Sequence, residues 1–210
     1  MRRARRLPLE TLAPYLVEVP EQPATLGWSA VFGNNHPVEI EVGFGKGLFL
    51  LTSGQARPDV NVLGIEIFRK YQLYAATRLA KRGLKNVKVV CADARAFLAE
   101  RVPPDSVQAI HVYFPDPWWK TRHRKRRLFT QDFAAGCQRA LQPGGRLFVV
   151  TDVESYYQII METVAQHTRL RLEAVPTEKA PSHDFDYLTN FERKYRKEGR
   201  PIYRAVYRKE

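Results

Sequence analysis

From residue 38 onward the chain alternates short apolar runs with longer stretches whose apolar positions recur at helical spacing. Val38–Val42, Asn61–Ile67, Val87–Cys91, Val107–Val112, Arg146–Val150, Leu170–Val175 and Ile202–Tyr207 read as strands. Lys46–Gln55, Arg69–Arg82, Ala94–Arg101, Thr130–Leu141 and Ser155–Gln166 read as helices, with Gly83 suited to close the second. Pro143-Gly144-Gly145 marks a turn into the Arg146–Val150 strand. Strands alternating with helical patterns of about 10–15 residues predict an α/β fold, a doubly wound and mostly parallel seven-stranded sheet with helices on both faces. Residues 1–37 read as an approach segment: a basic tip, an amphipathic piece around Leu9, Leu12 and Leu16, and turns at Pro20, Pro23, Gly33 and Asn35. Residues 176–200 read as an insertion before the last strand, so residues 1–210 are expected to form a single domain.

Charge changes this picture more than composition does. The 34 Lys and Arg against 22 Asp and Glu give +12, which points to an anionic partner. Four of the first six residues are Arg, and positions 120–127 hold six more cations. Cys91 and Cys137 sit in apolar segments without metal-ligand spacing, so no metal is expected. No apolar run approaches the ~20 residues of a membrane span, and the start has no secretory core. The expectation is a cytoplasmic protein with no membrane partner, as a monomer or a homodimer.

Candidate chemistry gathers where strands should end. After Val112 comes Tyr-Phe-Pro-Asp-Pro-Trp-Trp-Lys-Thr-Arg-His-Arg-Lys-Arg-Arg, residues 113–127. Prolines on both sides of Asp116 stiffen the turn that carries it. Trp118 and Trp119 are suited to stack on bases or to pack under the loop, and the basic run to neutralise phosphates. A solvated charged loop is the plainer alternative. Earlier, Glu41-Val42-Gly43-Phe44-Gly45-Lys46-Gly47 ends one strand and opens a helix. Leu48 stands where a dinucleotide fingerprint places its third glycine, which speaks against a dehydrogenase. Glu66, in Gly64-Ile65-Glu66, is placed to accept hydrogen bonds from ribose hydroxyls, and Asp93 follows at the next strand end. Acids at successive strand ends repel a pyrophosphate. They suit a ligand with a ribose and a positive centre, and S-adenosylmethionine meets that description.

These blocks, with Thr151-Asp152, Thr189-Asn190-Phe191-Glu192 and Gly199-Arg200-Pro201-Ile202-Tyr203-Arg204, closely resemble the bacterial tRNA (guanine-N7)-methyltransferases, from about residue 38 to the C-terminus. The resemblance implies a Rossmann-like class I methyltransferase fold, tRNA as partner and S-adenosylmethionine as cofactor. It implies cofactor contacts from Glu41, Gly43, Gly45, Glu66, Asp93 and Asp116. It implies substrate contacts from Lys120, Asp152, Thr189, Asn190, Phe191 and Glu192, and RNA contacts from Arg122, His123, Arg124, Lys125, Arg126 and Arg127. The implied target is guanine 46 of the variable loop. The segment before residue 38 carries no family motif, and Val153-Glu154-Ser155 lacks the Trp expected after Asp152.

Asp116 is the expected catalytic residue, acting by charge and orientation. A helix N-cap is the plainer role for Asp152, and an exposed helix acid for Glu192. Lys120 is suited to a phosphate. Arg193–Lys197 is either an RNA-facing or a merely solvated helix face. His111 and His123 lack a triad or metal pattern and are expected to be structural or RNA-facing. Two rival functions remain open on the sequence: an exocyclic-amine nucleic-acid methyltransferase, since Asp116-Pro117-Trp118 is similar to the Asp/Asn-Pro-Pro-aromatic signature, and a non-catalytic RNA-binding protein on the same fold.

Overall fold

A computed structural model describes residues 6–19, 24–173 and 189–210, and at positions 121, 124, 190 and 191 the backbone alone. The elements, in chain order, are α1 (Leu9–Leu12), β1 (Leu16–Val17), α2 (Trp28–Phe32), β2 (Val38–Val42), α3 (Leu48–Ala56), β3 (Asn61–Glu66), α4 (Arg69–Arg82), β4 (Val87–Cys91) and α5 (Ala94–Glu100). Then follow β5 (Val107–Tyr113), a 3-10 helix (Thr121–Arg126), α6 (Gln131–Ala140), β6 (Leu141–Thr151), α7 (Glu154–His167), β7 (Arg171–Glu173), α8 (Asn190–Lys197) and β8 (Tyr203–Arg208).

The sheet runs β1-β4-β3-β2-β5-β6-β8-β7. β1 to β6 run parallel to one another, while β8 runs antiparallel to both β6 and β7. β2 and β3 lie at the centre with every residue buried, as near-continuous runs in a parallel sheet should be. One face carries Ile40, Ile110 and Leu147 against Leu98 of α5, Phe133 and Cys137 of α6, and Ile160 and Val164 of α7. The other packs Val62 and Val89 against Leu50 of α3 and Leu79 of α4. Burying each such side chain is worth about 1.5–3 kcal/mol.

Three expectations need correction. The sheet has eight strands, not seven, because Leu16 and Val17 pair with Val89 and Val90. The N-terminal segment is therefore more than an approach arm: Leu12 and Tyr15 are buried in the core beside α4. Pro143-Gly144-Gly145 lies inside β6, as an irregularity where the β5 register jumps from Val107↔Leu141 to Ala109↔Arg146. Residues 174 and 175 of the expected Leu170–Val175 strand, and residues 176–188 of the insertion, lie outside the described residues.

The strand order reverses at β2 and β5: successive strands go outward one way through β3 and β4, and the other way through β6. In an open parallel sheet the crevice beyond the carboxyl ends at such a reversal is where ligands bind. The Gly43–Gly47 turn leaves β2 there, and the Phe114–Trp118 loop leaves β5. Among the described residues no helix is long and apolar enough to cross a membrane, and no His, Cys, Asp and Glu group is placed to hold a metal ion.

Candidate active site

Gly43, Gly45 and Gly47 have φ of 72°, 51° and 66°, a region that side chains with a Cβ rarely adopt. A Cβ at Gly43 or Gly45 would meet nothing within 4 Å, so the turn faces open space and leaves its backbone approachable. Two bonds hold the turn against β3: Gly43 N–H donates to the Ile65 carbonyl (2.8 Å), and Gly45 N–H to Glu66 Oε2 (3.1 Å). Glu66 Oε1 accepts from Phe68 N–H (3.1 Å), which leaves each oxygen a further lone pair for a ribose hydroxyl. Gly64 serves packing instead. A Cβ there would stand 2.6 Å from the Phe44 ring and 2.7 Å from Leu50, the side chains that anchor the turn.

Glu41 is 2 % exposed, with the first turn of α3 beside its carboxyl. Its Oε2 has no hydrogen-bond partner among the described residues. Burial, and then the neighbouring Glu66, push its pKa well above the ordinary carboxylate range. A buried acid with an unpartnered oxygen is costly unless a cationic donor completes it. With the open glycine turn and Glu66, this environment fits S-adenosylmethionine. Glu41, Gly43, Gly45 and Glu66 would hold it.

Asp93 reaches the same edge of the sheet, but its carboxylate is largely occupied. It caps α5 by accepting from Arg95 N–H (2.9 Å) and pairs with the Arg95 guanidinium (2.7 Å), whose hydrogen bond lowers its pKa against partial burial.

The loop after β5 is held under strain. Phe114 and Trp118, at either end of Pro-Asp-Pro, have φ of 52° and 46°, left-handed values that cost a bulky residue about 1–3 kcal/mol each. The fold holds both ends. Phe114 N–H donates to the Val150 carbonyl (2.7 Å), and its ring packs on Tyr195 at 5.4 Å. Arg127 Nε donates to the Pro117 carbonyl (2.8 Å). Asp116 between them is exposed. Burial raises the Tyr156 and Tyr195 phenols, and the Asp116 charge adds a smaller push to each. Trp118 is engaged by the His123 ring, edge-on at 5.5 Å, and by the Arg126 guanidinium over its ring at 5.2 Å. Trp119 is 65 % exposed, which makes it the tryptophan available to stack on a base.

The C-terminal block closes the far side. Thr189 caps α8 by accepting from Glu192 N–H (3.1 Å). Glu192 is buried, not the exposed helix acid that was the plainer alternative. It receives Arg204 Nη2 at 2.6 Å and Arg196 Nε at 3.0 Å. Asp152 accepts from Arg200 (2.9 Å), whose guanidinium lies 4.7 Å over Tyr195. Lys120, Arg122, Lys125 and Arg126 are exposed around the 3-10 helix. The side chains of Arg124, Asn190 and Phe191 lie outside the described residues.

Sequence reasoning passed over one constellation. Glu39 and His111 are buried and bonded to each other (3.0 Å), with Arg57 and Gln108 completing the carboxylate. The signal was present: Val38-Glu39-Ile40-Glu41-Val42 places two acids on one face of a central strand, where an acid without a partner would be too costly to bury.

The family described as "Putative methyltransferase" matches residues 35–205. A curated tRNA (guanine-N(7)-)-methyltransferase from Rhodopirellula baltica is 46% identical, covering 92% of this chain and 74% of its own. Another of that name, from Geobacter metallireducens, is 34% identical over 96% of this chain and 95% of its own. Among solved structures, the aminoglycoside resistance methyltransferase NpmB1 shares the fold at TM-score 0.59 and 19% identity, over 83% of this chain and 87% of that one. With the glycine turn, the strained Pro-Asp-Pro loop and the Thr-Asn-Phe-Glu cap around one crevice, the chain belongs to the tRNA (guanine-N(7)-)-methyltransferase family.

Proposed function

We propose that this protein transfers a methyl group from S-adenosylmethionine to N7 of a guanine in tRNA, at position 46 of the variable loop, in the cytoplasm, as a monomer or homodimer. The observation that carries the reading is the crevice between β2 and β5. On one side are the open glycine turn and the unpartnered Glu41; on the other, Asp116 on a loop fixed at both ends. S-adenosylmethionine supplies an already activated methyl group on its sulfonium.

Guanine N7 carries a lone pair and no proton, so no general base is required. The protein's work is placement, for which proximity supplies on the order of 7–11 kcal/mol, and stabilisation of the positive charge that grows on the ring. An Arg on O6 and N7, the usual way to read guanine, would block the nucleophile. The base is therefore held by its N1–H and N2 donors, which call for carboxylates and hydroxyls. Asp116 is the catalytic residue, acting by charge and orientation. Glu41, Gly43, Gly45, Glu66 and Asp93 hold the cofactor, and Lys120, Asp152 and Thr189 through Glu192 the substrate nucleotide. Arg122 through Arg127 clamp the RNA backbone.

Labelled S-adenosylmethionine and an unmodified tRNA pool test the reading. Wild type should place the label on a guanine whose N7-methyl makes the chain chemically cleavable at that nucleotide. Asp116→Ala should lose at least ~10²-fold in turnover while still binding S-adenosylhomocysteine. Label on an exocyclic amine, or undiminished transfer by Asp116→Ala, would overturn the corresponding assignment.

A further inference from the structure

Tyr113 is the last residue of β5, and its side chain is 8 % exposed. Val42 pairs with Val112, so the next step of the register sets Tyr113 beside Gly43, at the head of the crevice. The phenol lies in the field of Glu41, Glu39 and Glu192, which with burial raise it well above its ordinary pKa. It therefore stays protonated. The Phe49 ring stands edge-on at 5.2 Å and holds it in place.

The direction of its one hydrogen bond follows from counting protons. Glu39 accepts from Arg57 Nη1 (2.6 Å), Arg57 Nη2 (2.7 Å) and Gln108 Nε2 (2.9 Å), and faces His111 Nε2 at 3.0 Å. Burial alone would raise its pKa, but the bonds from His111, Arg57 and Gln108 prevail and hold it at about 2. An ionised carboxylate donates nothing, so His111 Nε2 carries the hydrogen. Burial keeps the imidazole neutral, against the pull of Glu39. Its Nδ1 is therefore bare and can only accept. Tyr113 Oη lies 2.8 Å from that nitrogen, so the phenol must donate to it.

The relay Glu39, His111, Tyr113 thus commits the only proton of the hydroxyl to the interior. What Oη can offer beyond His111 is lone pairs alone; Glu41 pairs with His111 across β2 and β5, so its carboxyl, with the unpartnered Oε2, shares the sheet face of Tyr113. The phenol oxygen calls for a donor, and a cation that donates also favours the ionised, accepting form of the Glu41 carboxyl over the protonated form that burial imposes. An ammonium is such a cation, and the methionyl end of S-adenosylmethionine carries one.

We propose that Tyr113 is a cofactor-binding residue, its oxygen fixed by Glu39 and His111 as an acceptor for the methionyl ammonium group beside Glu41. The proposal rests on the methyl-donor reading and narrows it to one ligand group. Glu39 and His111 act through Tyr113 and are positioning residues.

Titration calorimetry with S-adenosylhomocysteine and with 5′-methylthioadenosine, which has no amino-acid moiety, separates the possibilities. Tyr113→Phe should weaken S-adenosylhomocysteine by roughly tenfold to a hundredfold, the range for a hydrogen bond to a charged group. It should leave 5′-methylthioadenosine within about twofold. Equal loss for both ligands, or loss for neither, would overturn the proposal. Wild type binding neither ligand would sink the cofactor reading itself, a different result. Nitrogen NMR of His111 in the unaltered protein gives a check independent of any variant. The neutral Nε2–H tautomer is expected, and a hydrogen on Nδ1 would contradict the relay.

Discussion

Glu41 is buried at a cost to the fold. The acid is buried with one oxygen unpartnered, and burial and Glu66 hold its proton on to higher pH than in the unfolded chain. A carboxyl with a raised folded pKa loses stability as pH rises from its unfolded value, ~4.5, toward the folded one, because there the native state binds more protons. Glu41→Gln removes that penalty. Its melting temperature should match wild type near pH 4 and exceed it at pH 7 by ~2–4 °C, about 1 kcal/mol for a chain of this size. Its affinity for S-adenosylhomocysteine should fall. A variant less stable than wild type at pH 7 would show that the Glu41 carboxyl stabilises the free fold. Such exchange of stability for function is common at sites built to be completed by a ligand. Asp116 differs: it is exposed, so its removal should change stability by only about 0.5 kcal/mol.

Among the elements, the 3-10 helix Thr121–Arg126 and the loop before it carry the cations to which the proposed function assigns the RNA backbone. Arg126 and His123 pack on Trp118, while Arg122 and Lys125 extend outward and Trp119 stands clear. Replacing Arg122 and Arg126 by Gln should weaken tRNA binding and lower the slope of log K against log salt by ~0.7–0.9 for each phosphate that is no longer neutralised. An unaltered slope would remove this helix from the interface. Most elements were legible because each carries its own period: β2 through β6 as apolar runs, α4 and α7 as amphipathic stretches. The helix caps were read less well: Asp152 was offered as a cap, but α7 is capped at Val153 without a side-chain bond, while Thr189, read only as a substrate contact, caps α8. β1 was not legible, because two residues, Leu16 and Val17, have no period and become a strand only by pairing with β4. Nor was the strain at Phe114 and Trp118, which the surrounding packing imposes and residue type does not announce. His111 was read without a partner because Glu39 lies 72 positions away, and only the pairing of β2 with β5 brings them together.

Across the whole molecule, the parallel strands bring Glu41, Glu66, Asp93, Asp116 and Asp152 to one edge, although 111 positions separate the first from the last. The antiparallel β8 returns the chain so that α8 arrives at that edge as well, with Tyr203 opposite Thr151. Beneath it the Glu39 network joins β2, β5 and, through Arg57, the end of α3. The Glu39 pKa is depressed from 4.5 to about 2, so its contribution is complete above pH 4.5 and lost as pH falls through 2. That contribution is roughly 3 kcal/mol. In acid denaturation, Glu39→Gln should be less stable than wild type by a constant amount above pH 5, with the gap closing toward pH 2. A gap independent of pH would mean that Glu39 acts through packing alone.

The mechanism depends above all on which atom of the base receives the methyl group. A tRNA in which 7-deazaguanine replaces guanine throughout, with a C–H in place of each N7 lone pair and the donor edges intact, tests this directly. The enzyme should bind it about as tightly as the unaltered tRNA and transfer no methyl group. Transfer at an undiminished rate would contradict the mechanism, because the acceptor would then be another atom.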